Sequence, residues 1–119
     1  MTAYLAAYDT EWGPDGFSPE EVEAIAAIHR RHNAPATFFI VGKLLEVPEH
    51  ARKLRHALDD ELFDVQSHTY RHLLLKDSRL GGKGLALEEV EIEVVRTNKL
   101  IAEVFEREVI GLRTPAGFH

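Results

Sequence analysis

The sequence predicts an α/β fold in which parallel strands alternate with helices. Short runs rich in β-branched and aromatic residues alternate with longer segments of helical periodicity. The series begins and ends with a predicted strand. Alternation at this spacing is typical of right-handed β-α-β units, which place their strands side by side in a parallel sheet. The length of 119 residues and the hydrophobic content of 45% suit one domain, spanning residues 1–119, with one core.

Four strands are predicted from the apolar runs. Residues 2–8 (TAYLAAY) form an uninterrupted apolar run that ends at Asp9, which indicates a strand buried on both faces. The later runs combine β-branched, aromatic and aliphatic residues and end at a glycine or a polar residue. These three further strands are predicted at residues 36–41, 61–66 and 108–112.

Three helices are predicted between the strands, over about residues 18–31, 48–58 and 86–106. The first begins with Ser18 as cap, Pro19 at the first helical position and Glu21 completing a capping box. Each helix has apolar residues at helical spacing, which are expected to face the core. These residues are Val22, Ile25, Ala26, Ala51, Leu54, Leu58, Leu87, Val90, Val94, Ile101, Val104 and Phe105.

The composition excludes several classes of protein. The net charge is −6 and the fourteen Lys and Arg are scattered, so nucleic acid is not an expected partner. The chain has no cysteine, so any metal must be bound by His, Asp or Glu. No apolar run approaches the roughly 18 residues of a membrane span, and the first residues do not resemble a signal peptide. We therefore expect a cytoplasmic protein without a membrane partner.

The residues with chemical potential follow predicted strands. Asp9 and Glu11 follow the first strand, His68 and His72 the third, and Arg113 the fourth. In parallel α/β folds, ligands bind at the carboxyl ends of the strands. Segments that are far apart in the sequence are therefore expected to converge on one site.

His68 and His72 are four residues apart, so on one helical turn they would share a face and could chelate one ion. Taken alone the pair is a weak signal, because the chain has seven histidines. The alternative is two polar residues in a surface loop.

Asp9 and Glu11 are two residues apart, and in an extended chain such side chains point the same way. One carboxylate could complete a site of two histidines and one acid, and leave a position for water. The other could accept a proton from that water. The alternative is a solvated acidic turn.

Residues 113–117 (RTPAG) form the last motif. The guanidinium of Arg113 could orient a carboxylate, and the tight backbone set by Pro115 and Gly117 could direct an N–H at a developing oxyanion. The alternative is an ordinary loop with a surface arginine.

The combination of these segments resembles a known family. AAYDTEW, APATFFIVGKLL, FDVQSHTYRH and IGLRTPAG resemble, in order and spacing, the N-terminal part of polysaccharide deacetylases of the NodB-homology type, carbohydrate esterase family 4. The resemblance implies an incomplete distorted (β/α) barrel. It also implies a divalent ion, commonly zinc with cobalt or nickel as alternatives, bound by His68 and His72 of an H-[S/T]-x-x-H motif and by one acid.

The resemblance also implies roles in catalysis. Asp9 matches the base and Glu11 the metal ligand, with the reverse assignment open. Arg113 would steady the base, and the backbone N–H of Ala116 would help to stabilise the oxyanion. The implied reaction is attack of activated water on the N-acetyl carbonyl of a carbohydrate or a related amide.

Two departures from the family pattern bear on function. Thr10 stands where many members have a second adjacent aspartate, and the chain ends six residues after Arg113. Family members have a later motif with a histidine that protonates the leaving amine. This sequence lacks that motif, and His119 does not match it. We therefore expect a truncated domain that associates with itself through uncovered strand edges, or whose fourth strand is poorly placed.

Two other functions are alternatives to a deacetylase-type hydrolase. A non-catalytic metal-binding fragment or pseudoenzyme would keep the fold without turnover. A flavodoxin-like binding domain would need a phosphate loop after the first strand, and Pro14 and Asp15 make residues 12–16 a poor phosphate cradle.

Overall fold

A parallel sheet with helices on one face forms the molecule in the computed structural model, which describes residues 2–117. The strands, in the sheet order β1-β2-β3, are β1 (Ala6–Thr10), β2 (Ala36–Ile40) and β3 (Phe63–Ser67). The helices are α1 (Pro19–Arg31), α2 (Pro48–Ala57) and α3 (Leu87–Phe105), with 3-10 turns at Gly42–Glu46 and Pro115–Gly117. The predicted α/β class, with parallel strands alternating with helices, is confirmed. His119 lies outside the described residues.

The core lies between the helices and one face of the sheet. Phe38 and Ile40 of β2, together with Phe63 and Val65 of β3, are at most 2% exposed. The alternation of buried and half-buried positions along β2 follows from its period of two. Full burial of each such side chain contributes about 1.5–3 kcal/mol, so this layer provides much of the driving force for folding.

The inward faces of the helices largely follow the predicted periodicity. Val22 and Ala26 of α1, Leu54 of α2 and Ile101 of α3 are buried in the common core. Leu87 was predicted to face inward, and this was wrong: it is the first residue of α3 and is 81% exposed. No helix within residues 2–117 has the length and apolar character needed to cross a membrane.

The prediction that residues 2–8 form a strand buried on both faces was wrong. The strand is Ala6–Thr10, its residues alternate between exposed and more buried positions, and Leu5 before it is 91% exposed. β1 is also an edge strand, paired only with β2 within the described part of the chain. Because the strand extends to Thr10, Asp9 lies inside β1, opposite Phe39, and Glu11 directly follows the strand.

The predicted fourth strand, residues 108–112, is reduced to a single parallel bridge between Leu112 and Ser67. The N–H of Ser67 donates to the carbonyl of Gly111 at 3.1 Å, and the N–H of Arg113 donates to the carbonyl of Ser67 at 2.9 Å. Before this bridge, the side-chain oxygen of Gln66 accepts the N–H groups of Ile110 (2.9 Å) and Gly111 (2.7 Å). The side chain of Gln66 thus takes the place of strand backbone as the acceptor. This explains why the pairing with β3 does not extend beyond the single bridge.

The start of α1 differs from prediction in its cap. Pro19 does occupy the first turn, but the hydroxyl of Ser18 lies 3.3 Å from the carboxylate of Glu20 and makes no capping bond to the backbone. The predicted capping box with Glu21 is therefore wrong. The backbone N–H of Glu21 instead donates to the carbonyl of Ser18 at 3.2 Å.

Candidate metal centre and active site

Three side chains from two segments meet at the carboxyl ends of the strands. Glu11 comes from the end of β1, and His68 and His72 come from the loop after β3. One ligand atom from each lies within 4.8 Å of the other two, which is the spacing of a group that can hold a metal ion. We refer to Glu11, His68 and His72 as the ligand cluster.

The three ligand atoms of the ligand cluster converge, and two of them are buried. Oε2 of Glu11 lies 2.6 Å from Nε2 of His72 and 3.4 Å from Nε2 of His68. Even so, Oε2 of Glu11 and Nε2 of His68 are buried without a hydrogen-bond partner among the described residues. Buried polar atoms are normally paired, so converging unpaired donors fit a divalent cation.

His68 is fixed in the orientation that a metal ligand needs. Its side chain is 1% exposed, and its Nδ1 lies 2.8 Å from the carbonyl oxygen of Arg113. Because a carbonyl only accepts, Nδ1–H must be the donor, which leaves a lone pair on Nε2 facing the cluster. The backbone of Arg113 therefore sets the tautomer and the ring orientation of His68.

The two imidazoles come together through a loop, and the expected helical turn is absent. Thr69 and His72 have φ values of 64° and 57°, in the left-handed region. The ring centroids of His68 and His72 are nevertheless only 4.8 Å apart. The predicted pairing of the rings is thus present, but the predicted reason for it was wrong.

Asp9 lies beside the ligand cluster and is bound to Arg113. Its Oδ1 accepts a hydrogen bond from Nη1 of Arg113 at 2.9 Å, while its Oδ2 is 3.8 Å from Nε2 of His68. The guanidinium of Arg113 also stacks over the ring of Phe39 at 4.2 Å. These contacts hold the Asp9 carboxylate next to the cluster without making it a member.

Ala116 lies in the 3-10 turn at Pro115–Gly117, where it is exposed and has a φ of 55°. The turn follows Arg113 directly, so the RTPAG motif adopts the tight backbone that its Pro and Gly suggest. The role of the Ala116 N–H toward an oxyanion stays a prediction.

Sequence reasoning missed Glu93, a carboxylate in the middle of α3 that is 1% exposed. It accepts the backbone N–H groups of Tyr70 and Arg71 at 2.9 and 2.8 Å, and Nε of Arg71 at 2.6 Å. The hydrogen bond from Nε of Arg71, followed by the negative charge of Glu93, also raises the pKa of the Arg71 guanidinium. Its signal was present: position 93 shares the inward face of α3 with Thr97 and Ile101, where an acid is unusual.

Tyr70 anchors the loop at residues 68–72 through a second set of contacts. Burial raises the pKa of its phenol, and the hydrogen bond that the phenol donates to Glu46 raises it further. The same hydrogen bond, followed by one from Arg96, lowers the pKa of Glu46. The guanidinium of Arg96 also lies 4.1 Å over the Tyr70 ring.

Comparison with known families and structures bears on this arrangement. A sequence profile described as polysaccharide deacetylase matches residues 6–119. The chain belongs to the polysaccharide deacetylase family. Polysaccharide deacetylases were the family that the four sequence motifs resembled, so this expectation is confirmed. A search of curated protein sequences gives no significant match.

Solved structures of carbohydrate esterase family 4 share the fold of this polysaccharide deacetylase domain. A mutant of a family pseudoenzyme, described as having restored enzymatic activity, is 25% identical with a TM-score of 0.75, over 96% of this chain and 36% of its own. The wild-type pseudoenzyme, from Bacillus anthracis, is 24% identical with a TM-score of 0.74, over 96% and 35%. The peptidoglycan deacetylase PdaC from Bacillus subtilis is 22% identical with a TM-score of 0.68, over 97% and 50%. The chain thus spans about a third to a half of the length of these proteins.

Proposed function

We propose that the protein is a metal-dependent hydrolase that removes N-acetyl groups, by cleaving a C–N amide bond, from a carbohydrate or a related amide. The observation that carries this proposal is the ligand cluster, in which three ligand atoms converge and two of them, Oε2 of Glu11 and Nε2 of His68, are buried without a hydrogen-bond partner. Beside it lies a carboxylate bound to an arginine. Membership of the polysaccharide deacetylase family supports the same reaction.

Glu11, His68 and His72 would hold the ion, which is a divalent cation and in first place zinc, with cobalt and nickel as alternatives. Two imidazoles and one carboxylate are a donor set that zinc accepts, and three protein ligands leave a coordination position open. The bound ion would supply Lewis acidity and lower the pKa of a bound water.

Asp9 would act as the general base. The hydrogen bond from Arg113 aims the carboxylate and leaves Oδ2 on the side of His68, 3.8 Å from its Nε2. From there Asp9 would accept a proton from the attacking water. The N–H of Ala116 would donate to the oxyanion that develops on the acetyl group.

An N-acetylated carbohydrate is the proposed substrate. Support comes from relatives: one similar structure is described as a peptidoglycan deacetylase, and another as a family 4 carbohydrate esterase from Streptomyces lividans in complex with acetate. Acetate is the product that the proposed reaction would release.

A second candidate is a non-catalytic metal-binding protein of the same fold. It is favoured by the similarity to the pseudoenzyme from Bacillus anthracis. The two candidates share metal binding and differ in turnover.

Metal analysis and acetate release separate the candidates. We expect the purified protein to bind one zinc, cobalt or nickel ion, and His68→Ala or His72→Ala to abolish binding. His56→Ala, which removes an exposed histidine of α2, is the matched control and should bind normally. Equal metal content in all four proteins would refute the ligand assignment. Metal binding without acetate release from N-acetylated sugars would favour the second candidate.

A further inference from the structure

We propose that Glu93 is a positioning residue, whose buried carboxylate fixes the backbone of the loop at residues 68–72 and so holds His72 against His68 and Glu11. This inference rests on the proposed metal site. Glu93 itself touches neither the ligand cluster's donor atoms nor Asp9; it acts through the main chain between the two histidines.

The contacts of Glu93 are directed at the loop backbone. Oε2 accepts two consecutive N–H groups, those of Tyr70 (2.9 Å) and Arg71 (2.8 Å), and Oε1 accepts Nε of Arg71 at 2.6 Å. The side chain is 1% exposed, whereas that of Arg71 is 43% exposed. A buried carboxylate is stable only when its oxygens are satisfied, and here the loop supplies the donors.

The loop is held in an unfavourable conformation. Thr69, a β-branched residue that is fully buried, has a φ of 64°, and His72 has a φ of 57°. Positive φ is rare for such residues and persists only where the surrounding structure imposes it. The two strained residues flank Tyr70 and Arg71, whose N–H groups Glu93 binds.

The opposite side of the loop is bound to the 3-10 turn at Gly42–Glu46. The N–H groups of Gly42 and Lys43 donate to the carbonyls of Thr69 (2.9 Å) and Tyr70 (3.0 Å). Without Glu93, these two bonds would fix the loop backbone from one side only. The N–H of Tyr70 would then be buried without a partner and that of Arg71 partly buried without one, and the positive φ angles would be free to relax.

Helix α3 and the 3-10 turn are held at a fixed separation, so Glu93 reaches the loop at a defined distance. A Cβ added to Gly42 would lie 2.6 Å from Oγ1 of Thr97, which itself donates to the carbonyl of Glu93 at 2.8 Å. Glycine at position 42 therefore allows the 3-10 turn to approach α3 closely, and α3 is the rigid support of the Glu93 carboxylate.

Three substitutions at position 93 test the inference. Glu93→Gln keeps an oxygen for the two backbone N–H groups and loses only the bond to Arg71, so we expect zinc affinity within several-fold of the wild type. Glu93→Leu leaves both N–H groups without a partner, and zinc affinity should fall by about 10- to 100-fold, as for other residues that orient metal ligands. Glu93→Asp withdraws the carboxylate by one methylene and should resemble Glu93→Leu.

Glu91→Leu is the matched control, two residues earlier on α3. Glu91 is exposed, so its loss should leave zinc affinity unchanged. Zinc affinity is measured by competition with a chromophoric chelator, and the visible absorption of the cobalt form reports the ligand geometry. Far-UV circular dichroism checks that each variant is folded.

Amide hydrogen exchange of Tyr70 and Arg71 in the metal-free protein tests the hydrogen bonds from these N–H groups to Glu93 independently of metal. Protection in the wild type and in Glu93→Gln, lost in Glu93→Leu or Glu93→Asp, supports the inference. Unchanged protection, or lower thermal stability with unaltered zinc affinity and cobalt spectrum in a folded variant, overturns it. A wild type that binds no metal would refute the proposed function, while the exchange data would still decide the role of Glu93.

Discussion

Replacing Glu11 by glutamine is expected to weaken zinc binding far more than replacing Asp9 by asparagine. The two substitutions remove the same charge from neighbouring positions, so the difference between them isolates placement. Oε2 of Glu11 is buried and within 3.4 Å of both imidazole nitrogens, whereas Asp9 is exposed and outside the ligand cluster.

The magnitude follows from burial. Two unit charges about 4 Å apart interact by roughly 4 kcal/mol at an effective dielectric constant of about 20, and by about 1 kcal/mol in bulk water. The two side chains are similarly exposed, Glu11 at 36% and Asp9 at 39%, but Oε2 of Glu11 itself is buried among the ligand atoms. The first value therefore applies to that oxygen and the second to the carboxylate of Asp9. Since about 1.4 kcal/mol is a tenfold change, Glu11→Gln should lower zinc affinity by about a thousandfold and Asp9→Asn by about fivefold.

Competition with a chromophoric zinc chelator at pH 7 measures both affinities, and acetate release measures turnover. Asp9→Asn should retain zinc while losing acetate release, because the base is removed and the ligands remain. Glu103→Gln, which removes the same charge from an exposed position on α3, is the control. Equal losses of zinc affinity for Glu11→Gln and Asp9→Asn, or a larger loss for Asp9→Asn, would refute the assignment.

Three further outcomes are expected. Leu54→Ala, at a fully buried position, should lower the free energy of unfolding by about 2–5 kcal/mol in urea titrations, against less than about 0.5 kcal/mol for Leu80→Ala, where the side chain is 98% exposed. Glu46→Gln should destabilise the protein more at pH 7 than at pH 3, because the hydrogen bond from Tyr70 and then that from Arg96 lower the pKa of Glu46 below its ordinary 4.5. This stabilisation is therefore present above pH 4.5 and lost as the pH falls through the folded-state pKa, which denaturation at both pH values checks. The open edge of β1 should cause concentration-dependent self-association in size-exclusion chromatography, and a compact monomer at all concentrations would contradict this.

Local sequence patterns were sufficient to predict the buried faces of α1 and α2. The spacing of Val22 and Ala26, and of Leu54 and Leu58, indicated the buried helix faces correctly because periodicity depends only on local geometry. The error at β1 has the opposite origin. An apolar run does not reveal whether a second layer packs on its far side, and the sheet face at Asp9 has none within residues 2–117.

The candidate site was predictable in its residues but not in its construction. The motifs indicated Glu11, His68 and His72. The four-residue spacing of His68 and His72, however, suggested a helical turn. The loop conformation depends instead on hydrogen bonds to Glu93 and to the 3-10 turn, which are far away in sequence. Tertiary contacts of this kind impose φ values that local propensity does not favour.

The hydrogen bond from His68 to the carbonyl of Arg113 joins parts of the chain that are 45 residues apart. Arg113 also binds Asp9 through its guanidinium, so one residue orients both the proposed metal ligand His68 and the proposed base Asp9. A displacement of the segment at residues 111–113 would turn the imidazole and move the carboxylate together. In the proposed mechanism, any chain that packs against this segment would act on affinity for the ion and on proton transfer at the same time.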